Sequence, residues 1–515
     1  MSADDPIPDL VRIRLEPLAV ELDVPRGSSL VAALAAHGVE FPCGGTGECG
    51  GCGIRVLSGS LPISEADGAA FTADQLGAGW RLACQARART PLVLECAQWQ
   101  MQILADTGIA PSFSAFAKAD AKRVGEPRPK KSGLAIAIDL GTTTIAAQLV
   151  DAAGSVLAVE TALNPQAVFG SDVMSRIRAA LDGENLTTPI RSALGQLAAC
   201  LAAGRRDQIG EVLLVGNTVM HHLFCGLDVG PLSHVPFASP HLAGQRFTPR
   251  DLSWDLPACC TVRFARCIGG FVGSDILAGI VASGIGNSDR LAALVDLGTN
   301  GEIAIGSRHG IVCASTAAGP AFEAGSIRMG MRAVTGAIAY VALERNALRA
   351  TVIGDAKPRG ICGSGVVDAV AAGLRTGAVL ASGRIANGAK LFPVEPPIVL
   401  YQSDIRELQL AKGAIAAGFR LLLKHLGASI RDLSSIHLAG AFGNYVQIDS
   451  ALRIGLFEAP RSIIHAAGNT ALRGAKMLLL ADREPALPPI EHVSLAADPA
   501  FQDEFAACMT FPAPG

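Results

Sequence analysis

Residues 43–52 read CGGTGECGGC, three cysteines and five glycines in ten positions. The spacing is Cys43-x5-Cys49-x2-Cys52, and Cys84 follows in RLACQA after 31 intervening residues. Four thiolates are the donor set of a [2Fe–2S] cluster. A loop wrapped around a cluster needs positive φ at several positions, which glycine adopts without steric cost. Small residues also let backbone N–H groups approach the sulfurs, and such hydrogen bonds tune the potential. Cys43, Cys49, Cys52 and Cys84 are therefore the expected cluster ligands, and Cys96 a buried core thiol. Three other readings stand beside this one. Gly45-x-Gly47-x-x-Gly50 matches the dinucleotide fingerprint by letter but lacks its strand–helix frame. Cys49 and Cys52 alone could form a thioredoxin-like pair. A four-cysteine zinc site is the strongest rival, although such sites usually show two C-x2-C knuckles and the second is missing here.

Outward from the loop, VRIRLEPLAVELDVPRG (11–27) alternates as a β-hairpin does. SSLVAALAAHGVEF (28–41) reads as a short helix capped by Ser28 or Ser29, and CGIRVLSG (52–59) as the next strand. With RLACQARARTPLVLEC (81–96), these segments resemble the β-grasp fold of plant- and vertebrate-type ferredoxins over residues 10–97. The first cysteine gap of five departs from the plant-type four and is closer to the adrenodoxin-like subgroup. A ferredoxin-like domain is expected at 8–97.

The chain has 515 residues, too many for one core, so two to four domains are expected. Half of it is hydrophobic and 17% is charged, with a net charge of −3. That balance argues against nucleic acid as a partner and against a polybasic membrane anchor. No 18-residue apolar run is free of charge, and the N-terminus MSADDPIPDL is acidic. Neither a spanning helix nor a signal peptide is expected, so the location expected is cytoplasmic. Thirteen cysteines without an export signal favour metal or redox chemistry over a disulfide framework.

Residues 98–132 carry ADAKRVGEPRPKKSG, rich in Pro, Gly and Lys and without apolar period, and read as a linker. Beyond it two stretches echo each other: GLAIAIDLGTTTIAAQLVD (133–151) and LAALVDLGTNGEIAIG (291–306). Each is an apolar strand, then Asp-Leu-Gly-Thr, then another strand, which points to a duplicated domain over 133–510 with halves at about 133–290 and 291–510. Backbone N–H and hydroxyl groups of such turns can cradle phosphate oxygens. Asp139 and Asp296 would face each other at the mouth of a cleft, and a Mg²⁺ ion with its waters is the natural mediator between carboxylate and phosphate. The chain has no Gly-Lys pair, which excludes a Walker A loop. A third element, SSIHLAGAFGNYVQID (434–449), is a strand running into Gly440-Ala441-Phe442-Gly443. In this order the three resemble the phosphate and adenosine motifs of the actin, Hsp70 and sugar-kinase ATPase superfamily. The resemblance implies that Asp139, Gly141, Thr142, Thr143, Thr144, Asp296, Gly298, Thr299 and Asn300 line the phosphates. It implies that Gly440, Phe442 and Gly443 line the adenosine, with Asp139 and Asp296 in the catalytic role. His221 and His222 read as packing residues. GGFVGSDILAGIVASG (269–284) reads as strand, turn and helix with Ser274 or Asp275 as cap.

A ferredoxin-like domain joined to such an ATPase resembles the ATP-dependent reductive activators of corrinoid enzymes. The marks are the cysteine cluster, DLGTTT, GNT with Met220 and the His pair, GFVG with Asp275, DLGTNGE, GPAFE, GICGSG, LAGAFGN and GNTAL. Relatives often carry a longer region between the two halves, sometimes a separate middle domain, whereas about 35 residues fill that gap here. The resemblance implies a [2Fe–2S] cluster, ATP and Mg²⁺ as cofactors, and a corrinoid protein in its Co(II) form as partner. It also implies an external low-potential electron donor, a ferredoxin or flavin reductase, since no flavin or nicotinamide fingerprint is present. The oligomeric state is left open, a homodimer included. Plant-type clusters sit near about −400 mV, and the Co(II)/Co(I) couple is expected lower. Each ~59 mV of mismatch opposes one-electron transfer by about 1.4 kcal/mol, which is the work ATP would offset. Two other functions fit parts of the chain: a sugar-type small-molecule kinase, and an electron-transfer or binding module indifferent to nucleotide. A radical-dehydratase activator is a further alternative, with Cys313 and Cys362 as its nearest candidate cysteines.

Overall fold

The computed structural model describes residues 9–16, 20–35, 52–96, 133–170, 172–298, 300–333, 336–345, 347–355, 357–443, 446–481 and 485–513. Cys43, Cys49, Thr299, the 98–132 segment and the side chain of Phe442 lie outside the described residues.

The alternation of the first segment becomes β1 (Leu10–Glu16), with Val11, Ile13 and Leu15 buried and Arg12 and Arg14 exposed. It pairs antiparallel with β2 (Val20–Pro25) in the register Ile13↔Leu22. β3 (Gly53–Ser58), β4 (Trp80–Leu82) and β5 (Leu92–Cys96) complete a mixed sheet of order β2-β1-β5-β3-β4, with β1 and β5 parallel at its centre. The helix Val31–Ala35 begins where Val31 N–H donates to the Ser29 hydroxyl at 3.3 Å. Its Leu34, with Leu30 before it, is buried against Leu15, Ile54 and Leu94. This is the ferredoxin-like β-grasp arrangement that the first segments predict.

The two echoing stretches form two sheets that share the order of five strands and differ in the place of the sixth. In the first, β6 (Leu134–Leu140), β7 (Thr144–Val150) and β8 (Val156–Leu163) form an antiparallel meander. β9 (Ile209–Gly216) lies parallel to β6, β11 (Thr261–Phe264) parallel to β9, and β10 (Gln245–Phe247) closes the edge. The second sheet repeats this with β12 (Leu291–Leu297), β13 (Gly301–Ser307) and β14 (Gly310–Thr316) as the meander. Between them and its remaining strands the chain makes a three-stranded sheet, β15 (Ala337–Glu344), β16 (Ala347–Val352) and β17 (Gly360–Ile361). A hairpin, β18 (Leu391–Glu395) and β19 (Ile398–Tyr401), follows. Then β20 (Leu433–Ala439) and β21 (Ile464–Gly468) extend β12 in parallel, and β22 (Ile490–His492) joins β14.

β6 is apolar up to Asp139 because both its faces are covered, as parallel-sheet strands require. Its Ile136, Ile138 and Leu140 enter one core, while Ala135 and Ala137 enter another. The small face lets helices approach closely. There the helices Ser274–Ser283 and Thr470–Leu480 cross between the two sheets. Ala278, Ala471 and Ala475 pack on the first sheet, and Ile276 and Ile280 pack on the second. The crossing needs glycine: a Cβ on Gly474 would fall against the backbone of Ala278, with its Cα at 2.8 Å. At an exposed helical site Gly→Ala gains about 1 kcal/mol. Here Gly474→Ala should lose about 1–3 kcal/mol, read from urea unfolding followed by circular dichroism.

Candidate functional site

Each Asp-Leu-Gly-Thr repeat stands at the carboxyl end of the first strand of its sheet. Asp139 is the penultimate residue of β6 and Asp296 that of β12. The first turn closes with Gly141 N–H donating to Thr144 O at 3.0 Å, and the second with Gly298 N–H donating to Asn300 O at 3.1 Å. The interposed helix pair sets the two turns close enough for their aspartates to act on each other. Burial pushes the Asp296 carboxyl up to about 7, with the charge of Asp139 adding to the shift. Asp139 is itself raised to about 6 by burial, opposed by the Asn469 amide, which donates to Asp139 Oδ2 at 2.9 Å.

Two further carboxylates join them. Asp275 opens the helix Ser274–Ser283 and is pushed up to about 8, first by burial, then by Asp296 and Asp139. Glu302 faces Asp296 directly across the β12–β13 register and is raised by burial, Asp275 and Asp296. Like charges placed opposite in a sheet are destabilising, and four carboxylates are gathered here. Among the described residues no three such groups converge closely enough to ligate a bare ion. The expected cap of the 274–283 helix differs: Gly273 is the cap, and Ser274 instead ties the helix to β9, its hydroxyl donating to Gly216 O at 3.1 Å. No strand precedes that helix between 265 and 273.

A pH dependence follows. A carboxylate whose folded pKa lies above its unfolded value favours the protonated folded chain. It imposes no penalty below about 4, a growing one through 6–8, and the full one above. For Asp139, a rise from 3.8 to about 6 amounts to something on the order of 3 kcal/mol at alkaline pH. Without divalent cation, the melting temperature of the 133–510 region should therefore fall between pH 5.5 and 8.5. Added Mg²⁺ should recover it most at pH 8.5, as scanning calorimetry of the full chain would record.

The three threonines of the first turn differ. Thr142 is buried and its hydroxyl accepts from the Asn217 amide at 2.9 Å. Thr143 donates across the cleft to Glu323 Oε2 at 3.4 Å. Thr144 begins β7. Asn217 and Asn469 each cap a helix from a Gly-Asn-Thr triplet, accepting from Met220 N–H at 2.9 Å and Leu472 N–H at 2.7 Å. The sequence reading did not single out Asp275, Glu302, Glu323, Asn217 or Asn469 as site residues, although the repeated Gly-Asn-Thr was a visible signal. Gly440 follows β20 with φ +85°, and a Cβ there would lie 2.6 Å from Leu297 O and against Asp296 Oδ1. Gly443 ends the short turn that follows. Gly440→Ala should thus displace Asp296, lowering nucleotide affinity about tenfold or more, which calorimetric titration would measure.

In the N-terminal sheet, the register Gly53↔Leu82 sets Cys52 beside the Ala83–Gln85 turn, and Ala83 N–H donates to Cys52 O at 2.9 Å. Cys52 and Cys84 thus meet at one end of the sheet, and neither is in a disulfide. These two thiols fit half the donor set of a [2Fe–2S] cluster. β5 ends on Cys96, paired with Ile54. His221 and His222 are both fully buried on the helix Thr218–Cys225. His221 packs edge-on against Phe264, and His222 bonds Thr218 O and Ser239 Oγ, each at 2.7 Å. No helix among the described residues is long and apolar enough to cross a membrane.

Comparison with known proteins agrees with this geometry. Residues 13–89 match the family model of the 2Fe-2S iron-sulfur cluster binding domain. Residues 134–288 match the RACo middle region, and 290–515 the C-terminal domain of RACo, the ASKHA domain. The stretch read as the first ATPase half is thus the family's middle region. The corrinoid activation enzyme RamQ of Eubacterium limosum is 35% identical over 410 residues, 72% of this chain and 69% of that protein. The [Co(II) methylated amine-specific corrinoid protein] reductase of Methanosarcina barkeri is 27% identical over 383 residues, 67% of this chain and 69% of that one. A solved reductive activator for corrinoid, iron-sulfur protein superposes with a TM-score of 0.66 at 25% identity, covering 98% of this chain and 99% of its own. Against that structure the chain is not short. A cysteine-bearing ferredoxin-like domain followed by the two-sheet ASKHA architecture, together with these matches, places the chain in the family of reductive activators of corrinoid proteins.

Proposed function

We propose that this chain uses ATP to drive the one-electron reduction of a corrinoid protein from Co(II) to Co(I). The observation that carries the reading is the four-carboxylate cleft between paired Asp-Leu-Gly turns, on the same chain as a thiol-lined ferredoxin fold. The names of its relatives support the substrate class.

Cys43, Cys49, Cys52 and Cys84 would hold a [2Fe–2S] cluster, which supplies one electron at low potential when bound. The backbone of Gly141, Gly298 and Asn300 and the Thr143 hydroxyl would hold the phosphates of ATP, with Thr142 fixing the turn through Asn217 and Thr144 and Thr299 flanking it. Asp139 and Asp296, with Asp275 and Glu302 behind them, would hold a hydrated Mg²⁺; such an ion keeps several of its waters. Gly440, Phe442 and Gly443 would receive the adenosine. Filling the cleft draws the two turns together, and the helix crossing at Gly474 is the pivot that such closure would use. Closure also reaches the first domain: Asn164 donates its amide to Gly141 O at 2.9 Å and caps the turn Pro165–Phe169 by accepting from Gln166 N–H at 3.0 Å, and that turn lies against the helix Val31–Ala35. Affinity for the Co(II) partner can thus differ between nucleotide states, which is the means by which ATP does work here. Methyltransferase and methionine synthase systems are the candidate targets.

Anaerobic reconstitution tests the electron arm. The chain should take up two irons per molecule and give a paramagnetic signal on reduction, and Cys52→Ser should abolish the signal. Tight zinc binding with no such signal would overturn the assignment.

A further inference from the structure

Hydrolysis of ATP needs a group to take a proton from the attacking water, and none of the residues above fits that task. Asp139, Asp275, Asp296 and Glu302 are buried together and act on one another, an arrangement suited to a cation. We propose that Glu323 is the water-activating residue of this ATPase, an inference that rests on the ATP reading of the cleft.

Glu323 bonds the first turn and lies beside the second. Its Oε2 accepts from the Thr143 hydroxyl at 3.4 Å, and its Oε1 lies 3.9 Å from where a Cβ on Gly298 would stand. A terminal phosphate gripped by both turns would lie next to this carboxylate. Its charge acts on the buried Arg176.

The local backbone is built to aim the side chain. Glu323 ends the turn Pro320–Glu323, entered through Gly319 at φ +76° and left through Ala324 at φ +59°. A non-glycine residue at such a φ is strained, and strain of this kind persists where surrounding structure fixes it. The fixing contacts are visible: Phe322 is buried at 2%, and a Cβ on Gly363 would fall onto the Phe322 carbonyl. Behind the site Arg176 is fully buried, donating to Gly170 O at 3.0 Å and, more weakly, to Gln166 Oε1 at 3.5 Å. Among the described residues its Nη2 has no hydrogen-bond partner. A buried guanidinium with neutral partners needs an anion nearby, and Glu323 and Asp172 are the charges that oppose its desolvation.

In the step itself, the Glu323 carboxylate takes one proton from water. The water oxygen bonds to the γ-phosphorus as the bond from phosphorus to the β-bridging oxygen breaks, and the electron pair leaves on ADP. The proton passes to solvent as phosphate departs.

The test compares the full chain with Glu323→Gln and Glu323→Asp, with Mg-ATP and a Co(II) corrinoid protein present. Glu323→Gln should lower ATP turnover at least about 100-fold while ATP affinity by calorimetry stays within about threefold of wild type. Glu323→Asp, which keeps the carboxylate, should recover part of the rate. The acid limb of the wild-type rate profile should vanish in Glu323→Gln. Turnover by Glu323→Gln at the wild-type rate, or a loss of binding that accounts for the loss of turnover, overturns the role of Glu323 alone. A wild-type chain that turns over no ATP overturns the ATPase reading as well.

Discussion

Replacing Cys84 by serine should yield a chain that binds ATP with wild-type affinity and reduces no Co(II) above background. Cys84 sits in the Ala83–Gln85 turn, half-buried, at the sheet end it shares with Cys52. It packs only at the edge of the apolar core, whose buried members include Leu82, Ala83 and Leu94. Serine preserves size but offers a hard, weakly acidic oxygen where a thiolate is needed. The thermal transition of the 133–510 region should stay put, because its cores contain none of these residues. Absorption between 400 and 500 nm, electron resonance and the Co(I) band report the electron arm, and calorimetry reports the nucleotide arm. Retained Co(II) reduction by Cys84→Ser would remove Cys84 from the ligand set.

The second large effect is the reverse. Asp296→Asn should leave the iron–sulfur signals intact and lower ATP turnover about 10²–10³-fold. It should also make the nucleotide-free chain more stable at pH 8. Asp296 stands directly opposite Glu302 and acts on Asp275 and Glu302. An isosteric neutral amide relieves that repulsion, on the order of 1–2 kcal/mol. Function lost with stability gained is the mark of charge gathered for a ligand. A variant that loses activity and stability together would show that Asp296 serves packing instead.

The parts of the site legible in the sequence were those written twice or written in cysteine. Asp139 and Asp296 stood out because the strand-turn-strand pattern around them recurs, and the two sheets do share the order of five of their strands. Asp275 was hidden because one acidic residue at a helix start reads as a cap. Only the helix crossing, set by Gly279 and Gly474 meeting Thr470 and Ala278, brings that end into the cleft. Glu302 was quoted within DLGTNGE but acquires meaning only from the antiparallel register that sets it against Asp296. Glu323 is 180 residues from Thr143, and no local spacing reports a contact of that span. His221 and His222 show the converse. A conspicuous pair proved to be core packing, with burial pushing His221 down to about 4.

The coupling of the two halves is tested most directly by mixing the pre-reduced chain with a Co(II) corrinoid protein and following the Co(I) absorption band, with Mg-ATP and without. Co(I) should accumulate only with Mg-ATP, and the requirement should be lost along with the reduction in Asp296→Asn. Equal Co(I) formation in the absence of nucleotide would contradict the account.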